Sequence, residues 1–191
     1  MSALLIFLSL YWPKPGTKVR YLCVDESRFG LKGIKRRRLV RKGIRPIGKV
    51  RWQFKSFWVY GAVEPASGES QFWLFSHVDG ECFEAFLGAL SRAYPEDLLI
   101  VQLDNGGFHR KADLQIPENI FLLFQPPYSP EVNPIERVWL YLKDKLAWKA
   151  FESLSQLEEK VSEELAKLEA STLMSLTGYP FLMEALMRSL L

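Results

Sequence analysis

The stretch DLLIVQLDNGGFHRKADLQIPENIFLLFQP, residues 97–126, contains two continuous apolar runs, 97–105 and 118–126. Runs of this kind are typical of strands that are buried on both faces of a sheet. The polar interval between them has room for only a short helix. The two runs therefore predict the buried strands of a layered domain, and Asp104 stands at the end of the first.

The residues before this stretch predict three more strands and a crossover helix. KVRYLCVDES (18–27) alternates and ends near Asp25, while 56–65 and 71–78 flank a glycine-containing loop of hairpin length. Apolar residues then recur at helical spacing from Cys82 until Pro95 stops the pattern. Three antiparallel strands, a crossover helix and parallel strands predict an α/β domain whose mixed five-stranded sheet carries helices on both faces.

Four prolines within nine residues precede the next helix: Pro126, Pro127, Pro130 and Pro134. Asn133 and Pro134 predict the N-cap and first helical position, with Glu136 in the first turn. A second helix is predicted from Ser153 to about Ala170, and a third over 181–190 after a turn at 177–180. At 191 residues, the chain is long enough for one sizeable core. We divide it into an N-terminal segment (1–17), a main domain (18–150) and a C-terminal helical extension (151–191).

The cysteine count and the N-terminal segment indicate the cellular compartment of the protein. Two cysteines give no disulfide framework, so a cytoplasmic setting is expected. The apolar segment from Ala3 to Trp12 lacks a basic start and a cleavage pattern, and it is too short to span a bilayer. We expect it to be buried or poorly ordered, and we expect no membrane partner.

The net charge of +3 hides a strong segregation of charge. No Asp or Glu occurs between Ser27 and Val63, where twelve of the 25 Lys and Arg residues lie. A surface of this kind suits phosphates, because each neutralised phosphate releases counterions. The alternative is a solvated loop, but interleaved aromatics favour nucleic acid. The predicted DNA-binding residues are Arg36, Arg37, Arg38, Arg41, Lys42, Arg45, Lys49 and Arg51.

Three carboxylates from separate elements are predicted to meet. Asp25 and Asp104 end strands that would be parallel neighbours, and Glu136 begins a helix that can pack at the same edge. Close carboxylates repel unless a cation neutralises them. An all-oxygen ligand set favours Mg²⁺ or Mn²⁺, and two such ions can clamp the oxygens of a phosphoryl transfer.

Each acid also has a local explanation. Asn133 and Glu136 fit a capping box, residues 104–106 fit an ordinary turn, and Asp25 could accept a hydrogen bond beside Ser27. The three acids together, beside the basic run, favour the joint site.

Four blocks carry a resemblance to a known family: VDESRFG (24–30), VYGAVEPASGE (59–69), LDNGGFHR (103–110) and PENIFLLFQPPYSPEVNPIERVWLYLK (117–143). The chain resembles the catalytic domain of mariner-like DDE transposases, in the branch of bacterial insertion sequences, over roughly residues 19–150. LTGYP (176–180) resembles that branch more weakly.

The resemblance implies a ribonuclease-H-like fold and a two-metal Mg²⁺ site held by Asp25, Asp104 and Glu136. Asn105 and His109 would support it, although His109 has an equally good structural explanation. The implied activity is cleavage of DNA at transposon ends and joining of the freed 3′-hydroxyl to target DNA. Relatives act as dimers or larger assemblies, so a homodimer is implied.

Two classes of function remain open at this point. The first is the catalytic part of a transposase whose helix-turn-helix recognition module comes from a companion chain or an upstream frame, because only 24 residues precede Asp25. The second is an inactive remnant that binds DNA without turnover. A ribonuclease-H-like nuclease would share the metal chemistry of the first class and differ in substrate.

Overall fold

A computed structural model describes residues 16–32, 40–43, 54–110, 113–127 and 129–184. Its strands are β1 (Val19–Gly30), β2 (Ser56–Val63), β3 (Ser70–Phe75), β4 (Leu98–Leu103) and β5 (Ile120–Phe124). Its helices are α1 (Gly80–Ala93), α2 (Ile135–Leu146), α3 (Leu154–Ala166) and α4 (Ala170–Thr177). Short 3₁₀ turns occupy Gly107–Arg110 and Pro130–Val132.

The five strands form one mixed sheet in the order β3-β2-β1-β4-β5. β1 pairs antiparallel with β2, which pairs antiparallel with β3, whereas β1, β4 and β5 run parallel. All six residues of β4 are buried, as its apolar run predicts for a central strand. The predicted mixed five-stranded sheet and its hairpin are confirmed.

Helices cover both faces of the sheet, as predicted. Helix α1 packs Phe83, Phe86 and Leu90 on one face, against a cluster that includes Leu22 and Val101. Helix α2 covers the opposite face with a stripe that spaces apolar residues three and four apart. The buried members of this stripe are Ile135, Val138, Trp139, Leu142 and Leu146.

The C-terminal helices share the core of the α2 face. Leu157 and Val161 of α3, Leu173 of α4, and Leu182 are buried in the same cluster as the α2 stripe. Helix α3 begins at the predicted place, where the Ser153 side chain accepts a hydrogen bond from the Gln156 amide. In the described part of the chain, no helix combines the length and the apolar character needed to cross a membrane.

Several predicted boundaries were wrong. β1 continues beyond Asp25 to Gly30, because its antiparallel pairing with β2 runs on to the Gly30–Ser56 pair. β3 ends at Phe75 instead of residue 78. The helix predicted from Ser153 to about Ala170 ends earlier, since α3 stops at Ala166 and a separate helix, α4, begins at Ala170. A further helical segment begins at residue 180, and residues 185–191 lie outside the described part.

Candidate active site

Asp25 and Asp104 follow the last paired residues of two neighbouring parallel strands, β1 and β4. The parallel register between β1 and β4 ends with Cys23 opposite Gln102. If continued by two residues, this register brings Asp25, within β1, level with Asp104, which directly follows β4. Parallel strands lie about 4.8 Å apart, and residues in register point to the same face. The predicted neighbourhood of these two strand ends is confirmed, although Asp25 lies within a strand and Asp104 follows one.

Helix α2 is fixed to β1 at the level of Asp25. The Trp139 indole Nε1–H donates to Asp25 Oδ2 over 2.8 Å, and Trp139 is 1% exposed. At the start of the helix, Asn133 Nδ2 donates to the Val24 carbonyl over 3.0 Å. These two contacts set the position of the first turn, which carries Glu136.

The predicted N-cap role of Asn133 was wrong, and so was the capping-box alternative. The capping position is Pro134, which makes no side-chain cap, and the buried Asn133 Oδ1 has no hydrogen-bond partner. The Asn133 side-chain amide instead donates a hydrogen bond to the backbone of β1, at a residue 109 positions earlier in the chain. Glu136 is exposed, and its own backbone amide donates to the Asn133 carbonyl over 3.2 Å.

The loop that precedes α2 and contains the four prolines, here called the proline loop, is held to the sheet by amide side chains. Gln102 on β4 donates to the Val132 carbonyl over 2.9 Å and accepts a hydrogen bond from the Tyr21 hydroxyl. Asn105 Nδ2 donates to the Gln125 carbonyl over 2.6 Å, which joins the ends of β4 and β5. The predicted supporting residue Asn105 therefore braces the loop that leads to Glu136.

His109 bridges two carboxylates. Its Nδ1 lies 3.0 Å from Asp104 Oδ1, and its Nε2 lies 3.1 Å from Glu26 Oε1. The imidazole and the Glu26 carboxylate are buried, whereas the Asp104 side chain is 50% exposed. Each ring nitrogen therefore lies within hydrogen-bond distance of one carboxylate oxygen. His109 thus contacts both the predicted ligand Asp104 and the buried Glu26 carboxylate, and its supporting role at the site stays a prediction.

Glu26 is a site residue that sequence reasoning missed. It directly follows Asp25 in β1, so its side chain lies on the opposite face of the sheet, the face that α1 covers. There His109 reaches it from the turn after β4, and the imidazole packs 4.5 Å from the Phe83 ring of α1. This contact forms only when β1, α1 and the 3₁₀ turn pack together, so local sequence patterns do not reveal it.

The electrostatics at Asp25 favour a bound cation. Burial raises the pKa of Asp25 well above its usual range, the Glu26 and Glu136 carboxylates raise it further, and the Glu26 amide and Trp139 indole N–H oppose the rise. Among the described Lys and Arg residues, none offsets the negative charge of Asp25, Asp104 or Glu136 through a salt bridge.

The three predicted acids are neighbours but do not form a closed cluster. Among the described residues, the one group of three or more potential ligands with all atoms within 4.8 Å of one another is His77, Asp79 and Cys82. Asp104 Oδ1 instead accepts from the Gly106 amide over 2.8 Å and faces His109. The Gly106 contact agrees with the turn explanation for residues 104–106, and the joint site of the three acids stays a prediction.

The predicted DNA-binding residues are only partly described. Arg41 and Lys42 are exposed, as a phosphate-binding surface requires. The remaining six, Arg36, Arg37, Arg38, Arg45, Lys49 and Arg51, lie outside the described residues.

The metal-free protein is expected to lose stability as pH rises, because the raised pKa of Asp25 makes the folded state bind its proton more tightly than the unfolded chain does. The contribution is fully present below the ordinary Asp pKa of about 3.9 and is lost as pH rises through the raised value, with a slope of at most about 1.4 kcal/mol per pH unit. Urea denaturation of the wild type and of Asp25→Asn between pH 4 and pH 8 measures this dependence of the free energy of unfolding on pH. Equal slopes in the two proteins would contradict it.

Removing the His109 imidazole is expected to destabilise the fold, since Glu26 would stay buried without this partner. His109→Ala should lower the free energy of unfolding by about 1–3 kcal/mol. His109→Gln, which keeps one N–H donor, should lose clearly less. Chemical denaturation of both variants tests this, and equal losses would show that the carboxylate contacts contribute nothing.

A mixed sheet in this strand order, with acids at the carboxyl ends of its central strands, defines the ribonuclease-H-like class of nucleic-acid-processing folds. The family model for the DDE superfamily endonuclease matches residues 20–158, well over half of the chain. The chain therefore belongs to the DDE superfamily endonuclease family.

Relatives and solved structures agree with this family. An uncharacterized protein of Sinorhizobium fredii, y4pE/y4sA, is 34% identical over 88 residues, which cover 46% of this chain and 65% of the relative. The Mos1 strand transfer complex matches with a TM-score of 0.66 at 19% identity, covering 91% of this chain and 54% of the other. The Mos1 mariner paired-end complex with Mn matches with a TM-score of 0.65 at 19% identity, covering 91% and 55%.

The chain thus spans about half the length of the solved transposase structures that it matches. The resemblance to mariner-like transposases and the ribonuclease-H-like fold are confirmed by these matches.

Proposed function

We propose that this domain cleaves DNA and joins the freed 3′-hydroxyl to target DNA, as the catalytic part of a transposase. The observation that carries the proposal is the parallel pairing of β1 with β4, which ends two residues before Asp25 and Asp104, beside a helix tied to Asp25 through Trp139. Family membership supports phosphodiester chemistry on DNA. The catalytic unit would be residues 18–150, with 151–191 as a helical extension, whose helices α3 and α4 pack on the α2 face.

Asp25, Asp104 and Glu136 would hold two divalent cations, Mg²⁺ or Mn²⁺. The donor set fits such ions, since it offers carboxylate oxygens at an edge with excess negative charge. When bound, the cations would lower the pKa of the attacking water or 3′-hydroxyl and stabilise the leaving oxygen. Two solved relatives, Mos1 paired-end complexes with Mn and with Mg, are consistent with this choice.

The residues of this chain have separate tasks in the reaction. The Trp139 indole fixes one oxygen of Asp25, and His109 fixes one oxygen of Asp104. Asp104 and Glu136 are exposed, so a DNA strand can reach them from solvent. Arg41, Lys42 and the rest of the basic run would bind phosphates and position the strand, with little readout of base sequence.

The test uses the full purified chain with DNA that carries a pre-exposed 3′-end, a target plasmid, and Mg²⁺ or Mn²⁺. We expect metal-dependent nicking and joined products, in the presence of a helix-turn-helix companion chain if recognition is supplied separately. Metal-independent binding that weakens with salt by a log–log slope near −0.9 per phosphate, without any cleavage, would favour the inactive remnant. Cleavage of an RNA–DNA hybrid in preference to DNA would favour a ribonuclease-H-like nuclease.

A further inference from the structure

A second cluster of metal-ligating side chains lies outside the carboxylate edge, between β3 and α1. It consists of His77, Asp79 and Cys82, whose ligand atoms all lie within 4.8 Å of one another. His77 Nε2 is 3.0 Å from Asp79 Oδ2 and 3.6 Å from Cys82 Sγ. The three residues fall within six positions of sequence, so the loop and the first helical turn alone bring them together.

These separations match the edges of a tetrahedral coordination shell. Zinc bonds of about 2.0 Å to nitrogen, 2.1 Å to oxygen and 2.3 Å to sulfur place N and S about 3.5 Å apart, and N and O about 3.4 Å apart. The N···S separation therefore already fits an ion, and the N···O separation has to open by a few tenths of an ångström. Asp79 and His77 are exposed enough for that movement.

The surrounding contacts orient each ligand atom toward the common centre. Ser76 Oγ lies 2.8 Å from His77 Nδ1, which leaves Nε2 as the free lone pair when Nδ1 carries the proton. Asp79 Oδ1 accepts from the Cys82 amide over 2.9 Å as the N-cap of α1, which leaves Oδ2 available. Two of the three ligands, His77 and Asp79, thus have a second contact that leaves one ligand atom available.

A buried hydroxyl beside the cluster is left unsatisfied. The Tyr60 hydroxyl has no hydrogen-bond partner, and the Tyr60 side chain is fully buried. Burial raises the pKa of this phenol, and Glu26, Cys82 and Asp79 raise it further, so it lies in the field of the cluster. The Asp79 backbone amide opposes this rise in the pKa of Tyr60, although it makes no hydrogen bond of good geometry with the Tyr60 hydroxyl. A metal-bound thiolate or water would give this hydroxyl an acceptor.

We propose that His77, Asp79 and Cys82 bind a transition-metal ion of the zinc class, with a fourth position open to water. Nitrogen, sulfur and oxygen donors select Zn²⁺ or Co²⁺ over Mg²⁺, which prefers oxygen alone. Binding replaces the thiol proton of Cys82, which passes to solvent. The ion would join the β3–α1 loop to the first turn of α1. The neighbouring Phe83 packs against His109, so the site would brace the face that supports Glu26.

This site is independent of the proposed DNA chemistry, and so is its test. The probe is Co²⁺ added to the full, metal-free chain, because tetrahedral Co²⁺ bonded to a thiolate gives a near-ultraviolet charge-transfer band. The chain has two cysteines and two histidines in all, so the assignment is unambiguous. We expect the band to saturate at one equivalent of Co²⁺, to persist in excess Mg²⁺, and to be displaced by one equivalent of Zn²⁺.

Substitutions of the cluster residues distinguish a loss of metal binding from a loss of folding. The band should be lost in Cys82→Ser and in His77→Ala, whose wild-type imidazole is 63% exposed and unimportant for packing. It should be lost or strongly weakened in Asp79→Asn, which can still cap α1, and it should survive in Cys23→Ala. Absence of the band in the wild-type protein, or its survival in Cys82→Ser, would overturn the proposal.

Discussion

Asp25→Asn and Asp104→Asn are each expected to lower metal-dependent DNA cleavage on the order of 10³-fold without unfolding the protein. Each change removes the charge of one proposed ligand while it keeps the size of the side chain. A bound cation contributes several kcal/mol of transition-state stabilisation, and about 4 kcal/mol corresponds to this factor. The measurement is the rate of nicking of a labelled duplex at saturating Mn²⁺.

The matched control is Asp113→Asn. It makes the same chemical change at an exposed position in the connection between β4 and β5, nine residues after Asp104 in the chain. Cleavage by this variant should equal that of the wild type. If Asp113→Asn were as inactive as Asp104→Asn, the effect would reflect net charge instead of ligation. If Asp25→Asn retained full activity, Asp25 would not be a ligand.

Gly61→Ala is expected to cost about 1–3 kcal/mol of stability and to lower cleavage on the order of 10²-fold. Gly61 pairs with Asp25 across β1 and β2. A Cβ atom at Gly61 would lie 2.5 Å from Trp139 Cη2, 2.9 Å from Trp139 Cζ2 and 3.0 Å from Phe72 Cδ1. The indole has to move, and with it the hydrogen bond that holds Asp25.

The control for this change is Gly88→Ala, within α1. A Cβ atom there meets only the flexible end of Arg92, whose Nη1 lies 3.2 Å away, and alanine is favoured over glycine in a helix by about 1 kcal/mol. This variant should be as stable as the wild type or more so, with full activity. Thermal denaturation and the nicking assay on both variants measure the two effects. A Gly61→Ala protein with unchanged activity would show that Trp139 does not position Asp25.

The sheet could be predicted from the sequence because its signals are local. The apolar runs that form β4 and β5, the hairpin of β2 and β3, and Asp104 after β4 each depend on a few neighbouring residues. Periodicity reports such short-range features directly. The predicted parallel pairing of β1 and β4, the strands that lead to Asp25 and Asp104, is confirmed.

The contacts that shape the site could not be predicted, because they join residues far apart in the chain. Asn133 carries an ordinary N-cap signal, yet it contacts Val24, and this tertiary hydrogen bond outweighs the local preference. Trp139 was recognised as part of an apolar stripe, but its indole N–H meets Asp25 only after α2 packs on the sheet. The one sequence feature that points to Glu26 is its position beside Asp25 in an alternating strand. This feature does not indicate that His109 is the partner of Glu26.

The central claim is that Asp25, Asp104 and Glu136 share divalent cations. Diffraction from crystals of the chain soaked in Mn²⁺, collected at the manganese absorption edge, tests it most directly. We expect anomalous density bonded to Asp25 and Asp104, with Glu136 turned to the same ion or to a second one beside it. Fully ordered carboxylates with no anomalous density between them, at Mn²⁺ concentrations that support cleavage, would contradict the claim.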